Sequence, residues 1–184
     1  MGDDEPFFTI GHSTRPIAEF TAMLLPNGVT RVVDVRTVPR SRTNPQYNKD
    51  TLPGLLAPCG ISHEHIAALG GLRGVRHDVP PELNGYWENR SFHNYADYAM
   101  TPAFRAGFER LLEIGSRERC AIMCAESVWW RCHRRIITDY LLAAGESVFH
   151  LVNSDVPEVA KITPEAEVRD GVLVYPARQG GLSI

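Results

Sequence analysis

Lysine is almost missing from this chain. Of its 19 basic residues only Lys49 and Lys161 are lysines, and the other seventeen are arginines. A polycationic surface is missing too: the formal net charge is -3. Any contact with nucleic acid therefore has to come from a local patch. No apolar run approaches the roughly 18 residues of a membrane-spanning helix, which argues against an integral helical membrane protein. The acidic start, residues 1–6, has neither the basic segment nor the apolar stretch of an export signal. The expectation is thus a cytoplasmic protein with no membrane contact. Cysteines are few, at Cys59, Cys120, Cys124 and Cys132, and no Cys-x-x-Cys occurs. In a chain without an export signal they are expected to stay reduced.

Repeats, low-complexity tracts and linkers are also lacking. With 184 residues there is material for one well-buried core. The expectation is one α/β domain over residues 1–184, with its core at 7–175.

Apolar runs, several of them β-branched, predict strands at residues 7–10, 29–35, 119–124 and 147–152, and residues 61–66 are expected to form a further strand. Helical spacing of apolar residues, or helix-bounding Pro and Gly, predicts helices at 16–25, 49–59, 95–100, 102–114 and 131–144. Pro102 after Thr101 suits the first helical position. Asp170-Gly171 at the centre of residues 167–175 predicts a terminal β-hairpin. Strands alternating with helices argue for a three-layer, Rossmann-like domain with a mostly parallel sheet. Ligands in such sheets gather beyond the carboxyl ends of the strands, so the segments after each strand are the places to look.

Four such segments carry chemistry. Gly11-His12-Ser13-Thr14-Arg15 follows the first strand; His12, Ser13 and Arg15 are donors suited to an anion, and the same stretch also reads as a turn and helix start. Asp34 ends the second strand, where a carboxylate is costly unless paired. Arg36, Arg40 and Arg42 follow within seven residues and would repel one another without an anionic partner. Arg73 opens a long segment, residues 69–92, rich in Gly, Pro, Arg and aromatics. A loop of that length in a compact domain suggests a cover over the site, and plain loop packing is the competing account. The fourth segment holds Cys124, Glu126, Cys132, His133 and Arg134.

Several chemistries compete for that last segment. A phosphatase-like loop needs Arg six positions after its Cys, where Trp130 and Thr138 stand. A rhodanese-type loop needs Arg five positions on, where Trp129 and Ile137 stand. A metal site from Cys124, Cys132, His133 and His12 is a minority alternative, because adjacent Cys-His side chains do not easily aim at one ion. Cys124 and Cys132 could form a redox pair. Otherwise they pack, and Glu126, His133 and Arg134 meet a ligand.

Taken together, T-I-G-H-S-T-R, V-D-V-R-x-x-P-R-S-R, L-G-G-L-R, Y-A-D-Y-A-M-T-P-x-F and M-C-A-E-S-V-W-W-R-C-H-R resemble the DUF488 family, from about Phe8 to Tyr175. Two positions depart from the family pattern: Trp129 stands where a proline is usual, and Tyr47 where phenylalanine is common. The resemblance implies an intracellular α/β domain whose motifs surround one cleft, and it implies no particular reaction.

From these residues the leading expectation is an enzyme acting on a phosphorylated, nucleotide or nucleic-acid-base substrate, as a hydrolase or N-glycosidase. Glu126, Asp34 and His133 are its candidate catalytic groups. His12, Ser13, Arg15, Arg36, Arg40, Arg42, Arg73 and Arg134 are candidate anion ligands. Its partner would be a small phosphorylated ligand or nucleic acid, and no cofactor is expected. The alternatives are thiol-redox or metal chemistry at Cys124 and Cys132, and a non-catalytic nucleic-acid-binding adaptor.

Overall fold

A computed structural model describes residues 5–153 and 156–178; residues 1–4 of the acidic start lie outside it. The chain runs β1 (Phe7–Gly11), α1 (Ile17–Leu24), β2 (Arg31–Asp34), α2 (Leu52–Leu56), β3 (Ser62–His65), α3 (Arg90–Tyr98), α4 (Pro102–Gly115), β4 (Cys120–Cys124), α5 (Arg134–Ala143), β5 (Val148–Leu151), β6 (Glu158–Val159), β7 (Glu167–Arg169) and β8 (Val172–Val174). Six strands form one sheet in the order β3-β2-β4-β1-β5-β6. The first five are parallel, and β6 pairs antiparallel with β5. The five predicted strands are all present, and the fold class read from the sequence holds.

Successive side chains of a strand point to opposite faces, and both faces here are apolar. Phe8, Ile10, Val32, Ala121, Met123 and Leu151 pack with Phe20, Leu24, Leu52 and Leu56 of α1 and α2. Phe7, Val33, Cys120, Ile122, Cys124 and Val148 pack against Tyr95, Phe104, Leu111, Ile137 and Leu141 of α3, α4 and α5. The result is the expected three layers, with every parallel strand delivering its carboxyl end to the same edge.

Local chemistry sets the element ends. The Asn89 side chain accepts hydrogen bonds from the backbone N-H groups of Ser91 and Phe92. That cap starts α3 at Arg90, five residues before the helix predicted at 95–100. Thr101 caps α4 with Pro102 in its first turn, as expected. Asp170 (φ 49°) and Gly171 (φ 79°) make the predicted hairpin turn between β7 and β8. The short β6 was not anticipated.

One correction bears on the site. The helix expected from residue 131 begins at Arg134. Trp129–Arg131 form a separate 3-10 turn, and Cys132 is extended (φ -139°, ψ 171°). Cys132 and His133 therefore precede the helix instead of lying in its first turn.

Candidate functional site

The carboxyl ends of β1, β2 and β4 sit side by side, with Gly11 in register with Cys124 and Asp34 with Met123. The β1–β4 pairing continues past the strands: His12 N-H donates to Cys124 C=O (2.9 Å), and Ser13 N-H to Ala125 C=O (3.0 Å). Gly11 makes this possible. A Cβ there would fall 1.8 Å from the Glu126 carbonyl oxygen, so only glycine lets the loop after β4 fold across the end of β1. Beyond these ends opens a cleft of about 660 Å³. It is lined by His12, Ser13, Arg36, Thr37, Val38 and Arg40 from the first two loops, Gly71, Leu72, Phe92 and Tyr95 from the third, and Cys124, Glu126, Arg131, Cys132 and His133 from the last.

Two guanidinium groups are buried beneath this cleft, each with its own partner. Arg36 is held by Asp34: its NH2 lies 2.6 Å from Oδ2, and its Nε and backbone N-H donate to Oδ1 at 2.9 and 3.1 Å. The same NH2 donates to the Tyr47 carbonyl at 2.6 Å. Burial pushes the Asp34 carboxyl pKa up. Hydrogen bonds from Arg36 and the nearby His63 more than reverse that, and bring it down to about 2. Asp34 is fully buried and does not border the cleft, so it stands as the anchor of Arg36.

Arg134 is 1% exposed and points inward, away from the cleft. Its Nε lies 2.9 Å from Cys124 Sγ and 3.3 Å from Cys132 Sγ. One terminal nitrogen donates to Thr9 Oγ1 (3.2 Å) and the other to the Glu126 carbonyl (2.6 Å). No carboxylate pairs with it among the described residues. The Glu126 carboxylate instead accepts from Ser127 Oγ and the Val128 N-H. Thr9 Oγ1 also shares a hydrogen bond with Nδ1 of buried His150 at 2.6 Å.

The two sulfurs are 3.2 Å apart and ionise unequally. Burial disfavours charge on both. For Cys124 burial dominates and raises the pKa well above the usual thiol value. For Cys132 the hydrogen bond from Cys124 and the Arg134 guanidinium outweigh burial and lower it to about 6. These opposed shifts favour Cys132 as the thiolate and Cys124 as the thiol of the pair. With the helix starting at Arg134, the neighbouring thiol and the guanidinium, not the N-H groups of a helix start, are the cause.

Burial keeps the two histidines of the cleft, His12 and His133, neutral. His133 Nε2 donates to the Val35 carbonyl (2.7 Å), and burial lowers its pKa to about 4. That bond leaves Nδ1 as the acceptor beside Gly71, where a Cβ would come within 2.5 Å. His12 donates through Nδ1 to the Ser13 carbonyl (2.8 Å) and lies parallel to Tyr47 at 4.2 Å. Burial lowers its pKa to about 4 as well. Each imidazole thus has one nitrogen committed to a backbone carbonyl. Among the described residues no group of three or more His, Cys, Asp or Glu side chains is placed to hold a metal ion.

The remaining predicted anion ligands divide. Arg40 borders the cleft, and no ion pair occupies it among the described residues. Arg42 is exposed over a separate hollow with Pro45 and Asn48. Arg15 is tied to Glu19 (3.0 Å) and the Val152 carbonyl (3.0 Å). Arg73 donates to the Gly70 and Ala67 carbonyls and lies over the Tyr98 ring at 3.7 Å. Neither Arg15 nor Arg73 borders the cleft. Of the long segment at 69–92, only its ends meet the cleft; its middle lines another cavity of about 420 Å³ with Trp87 and His93. Sequence reasoning missed Thr9, whose hydroxyl in an otherwise apolar strand was the available signal. It also passed over Arg131 as a rim residue and Phe92 and Tyr95 as cleft walls.

A parallel α/β sheet with a buried thiol pair and an open cleft at its carboxyl edge defines the class of protein. The family model described as domain of unknown function DUF488 matches residues 16–141, most of the chain, and the protein belongs to that family. No curated protein and no solved structure matches. No described helix is long and apolar enough to cross a membrane.

Proposed function

We propose that this protein carries out thiol–disulfide exchange, with Cys132 as the attacking thiolate and Cys124 as the resolving thiol. One observation carries the reading: Arg134 is a buried cation whose only available anion among the described residues is a thiolate of this pair. A buried guanidinium without a counter-charge is strongly unfavourable, so the fold itself favours ionised sulfur. Cys132 borders the cleft and is half-buried, within reach of a small substrate.

The exchange is reversible and, written from the reduced protein, balances as follows. The Cys132 thiolate attacks one sulfur of a substrate disulfide, forms a mixed disulfide and expels the other half as a thiolate. Cys124, 3.2 Å away, then loses its proton and attacks the Cys132 sulfur. The second substrate thiolate departs and takes up that proton, and a Cys124–Cys132 bond remains. Two electrons have passed from protein to substrate. Arg134 Nε faces both sulfurs, so negative charge stays near one cation throughout.

The test is direct. Native Cys124→Ser protein, treated with an aromatic disulfide, should retain a mixed disulfide at Cys132, detected by mass. Wild-type protein should pass on to the internal bond and release both halves. Two thiols that react only after denaturation would refute the reading.

A second reading, hydrolysis of a phosphorylated or nucleotide substrate, is supported by Glu126 together with Arg40 and Arg131 on the cleft wall. In it Glu126 serves as general base. Arg36 and Arg134 are already satisfied and contribute little to binding such a ligand. Stabilisation of the fold by phosphate or nucleoside monophosphates, unchanged in a Cys124→Ser/Cys132→Ser variant, would favour this reading over the first.

A further inference from the structure

We infer that the Cys124–Cys132 pair is an oxidising couple, one whose disulfide form takes electrons from substrate dithiols. The inference rests on the thiol reading and adds its direction. It follows from what happens to Arg134 when the sulfurs join.

In the reduced protein the guanidinium has an anion at 3.3 Å in Cys132 and a polar neighbour at 2.9 Å in Cys124. Its other contacts are neutral, the Thr9 hydroxyl and the Glu126 carbonyl. A disulfide carries no charge and is a poor acceptor. Oxidation therefore removes the only counter-charge, among the described residues, of a cation that is 1% exposed. No described carboxylate is placed to replace it, because Glu126 is turned toward Ser127 and the Val128 N-H. The fold thus stabilises the reduced state selectively, and a couple with a stabilised reduced state is oxidising. Arg36 makes the contrast: its anion is a carboxylate that oxidation leaves untouched.

The reaction runs in two displacements. A substrate thiolate attacks Cys132, the more exposed of the two sulfurs, and expels Cys124, whose charge appears 2.9 Å from Arg134 Nε and is quenched by a proton. The second substrate thiol ionises and attacks its partner sulfur in the mixed disulfide. Cys132 leaves as the thiolate that Arg134 holds. The substrate departs as a disulfide, two electrons lower; of its two protons one rests on Cys124 and one goes to solvent.

The experiment is a redox titration of wild-type and Arg134→Met protein in glutathione buffers, read by mass after acid quenching. Wild type is expected to need the more oxidising buffer, with the equilibrium constant for disulfide formation at least roughly tenfold below that of Arg134→Met, since each pKa unit of thiolate stabilisation is a factor of ten. Equal constants, or a shift the other way, overturn the inference while leaving the thiol reading intact. Absence of a Cys124–Cys132 bond in every buffer defeats the thiol reading itself. Wild-type protein alone supplies a second measurement if Arg134→Met does not fold. Its reduced form should resist urea better than its oxidised form, and an oxidised form that is the more stable overturns the inference.

Discussion

Two arginines lie under the same cleft, and they differ in one respect that decides their roles. Arg36 is clamped by Asp34 through two oxygens, and that anion persists across ordinary pH and redox conditions. Arg134 is matched by sulfur, and that anion vanishes on protonation, alkylation or oxidation. One centre is built to hold a loop in place. The other makes the charge state of a cysteine part of the stability of the fold. A buried cation therefore says little by itself; the lability of its partner separates scaffold from chemistry.

The largest effect should come from breaking the permanent pair. Asp34→Ala leaves Arg36 buried without its carboxylate, at a cost of about 3–5 kcal/mol. Urea unfolding should show the midpoint falling steeply, and the loop after β2 that Arg36 pins through the Tyr47 carbonyl should become sensitive to protease. A loss under 1 kcal/mol would mean that Arg36 finds another partner and that the contrast between the centres is wrong.

Breaking the labile pair should cost less and should not be additive. Either Cys124→Ser or Cys132→Ser leaves one sulfur to ionise beside Arg134. The double variant leaves none. Its loss should reach about 3 kcal/mol and exceed the sum of the two single losses, which a double-mutant cycle in urea measures. Simple additivity would show that Arg134 needs no thiolate.

Acid should separate the centres by pH. The Asp34 pKa is lowered to about 2 when folded. Its contribution is complete above the ordinary carboxylate range and is lost only as pH falls through about 2. Cys132, lowered to about 6, contributes fully only above the unfolded thiol value near 8.5, and loses that contribution as pH falls toward 6. His12 and His133, buried neutral with pKa values of about 4, also cost stability as pH falls below about 6.5 and unfolded imidazoles take up protons. Stability should thus begin to decline well above pH 6 and keep falling to about pH 4. In Asp34→Asn the final acid step below pH 4 should be smaller, the part due to Glu64, Asp78 and Glu165 remaining. Iodoacetamide labelling of Cys132 in Cys124→Ser gives the site's own curve. Its midpoint should lie below that of a free thiol and rise toward it in Arg134→Met.

Much of the scaffold was legible because it rests on short-range rules. β1, β2 and β5 carry β-branched or aromatic residues and β4 is an apolar run, and the Asp170-Gly171 turn is dictated by backbone sterics. The need to pair Asp34 also followed from the sequence, since a carboxylate at the end of an apolar strand has few alternatives. The orientation of Arg134 did not follow. A helix begun at residue 131 and one begun at 134 differ by three residues, about 300° of helical rotation by a 3.6-residue turn. That offset decides whether a side chain faces the cleft or the core. The 3-10 turn at Trp129–Arg131 sets it, and no periodicity marks so short an element. The cleft wall from Phe92 and Tyr95 was missed for a related reason: the start of α3 is fixed by one side-chain cap at Asn89, in a stretch where apolar spacing says little.

The smallest effect concerns the arginines that neither centre consumes. Arg40 and Arg131 border the cleft without an ion pair among the described residues, so truncating them strands no buried charge. Arg40→Ala and Arg131→Ala should each change stability by less than about 0.5 kcal/mol. They should act on encounter with substrate instead: rates of exchange with a negatively charged disulfide should fall several-fold, more at low ionic strength than at high, while rates with a neutral disulfide stay unchanged. An equal loss for both substrates would place these side chains in the scaffold with Arg36 and leave the rim without a part in selecting what reaches Cys132.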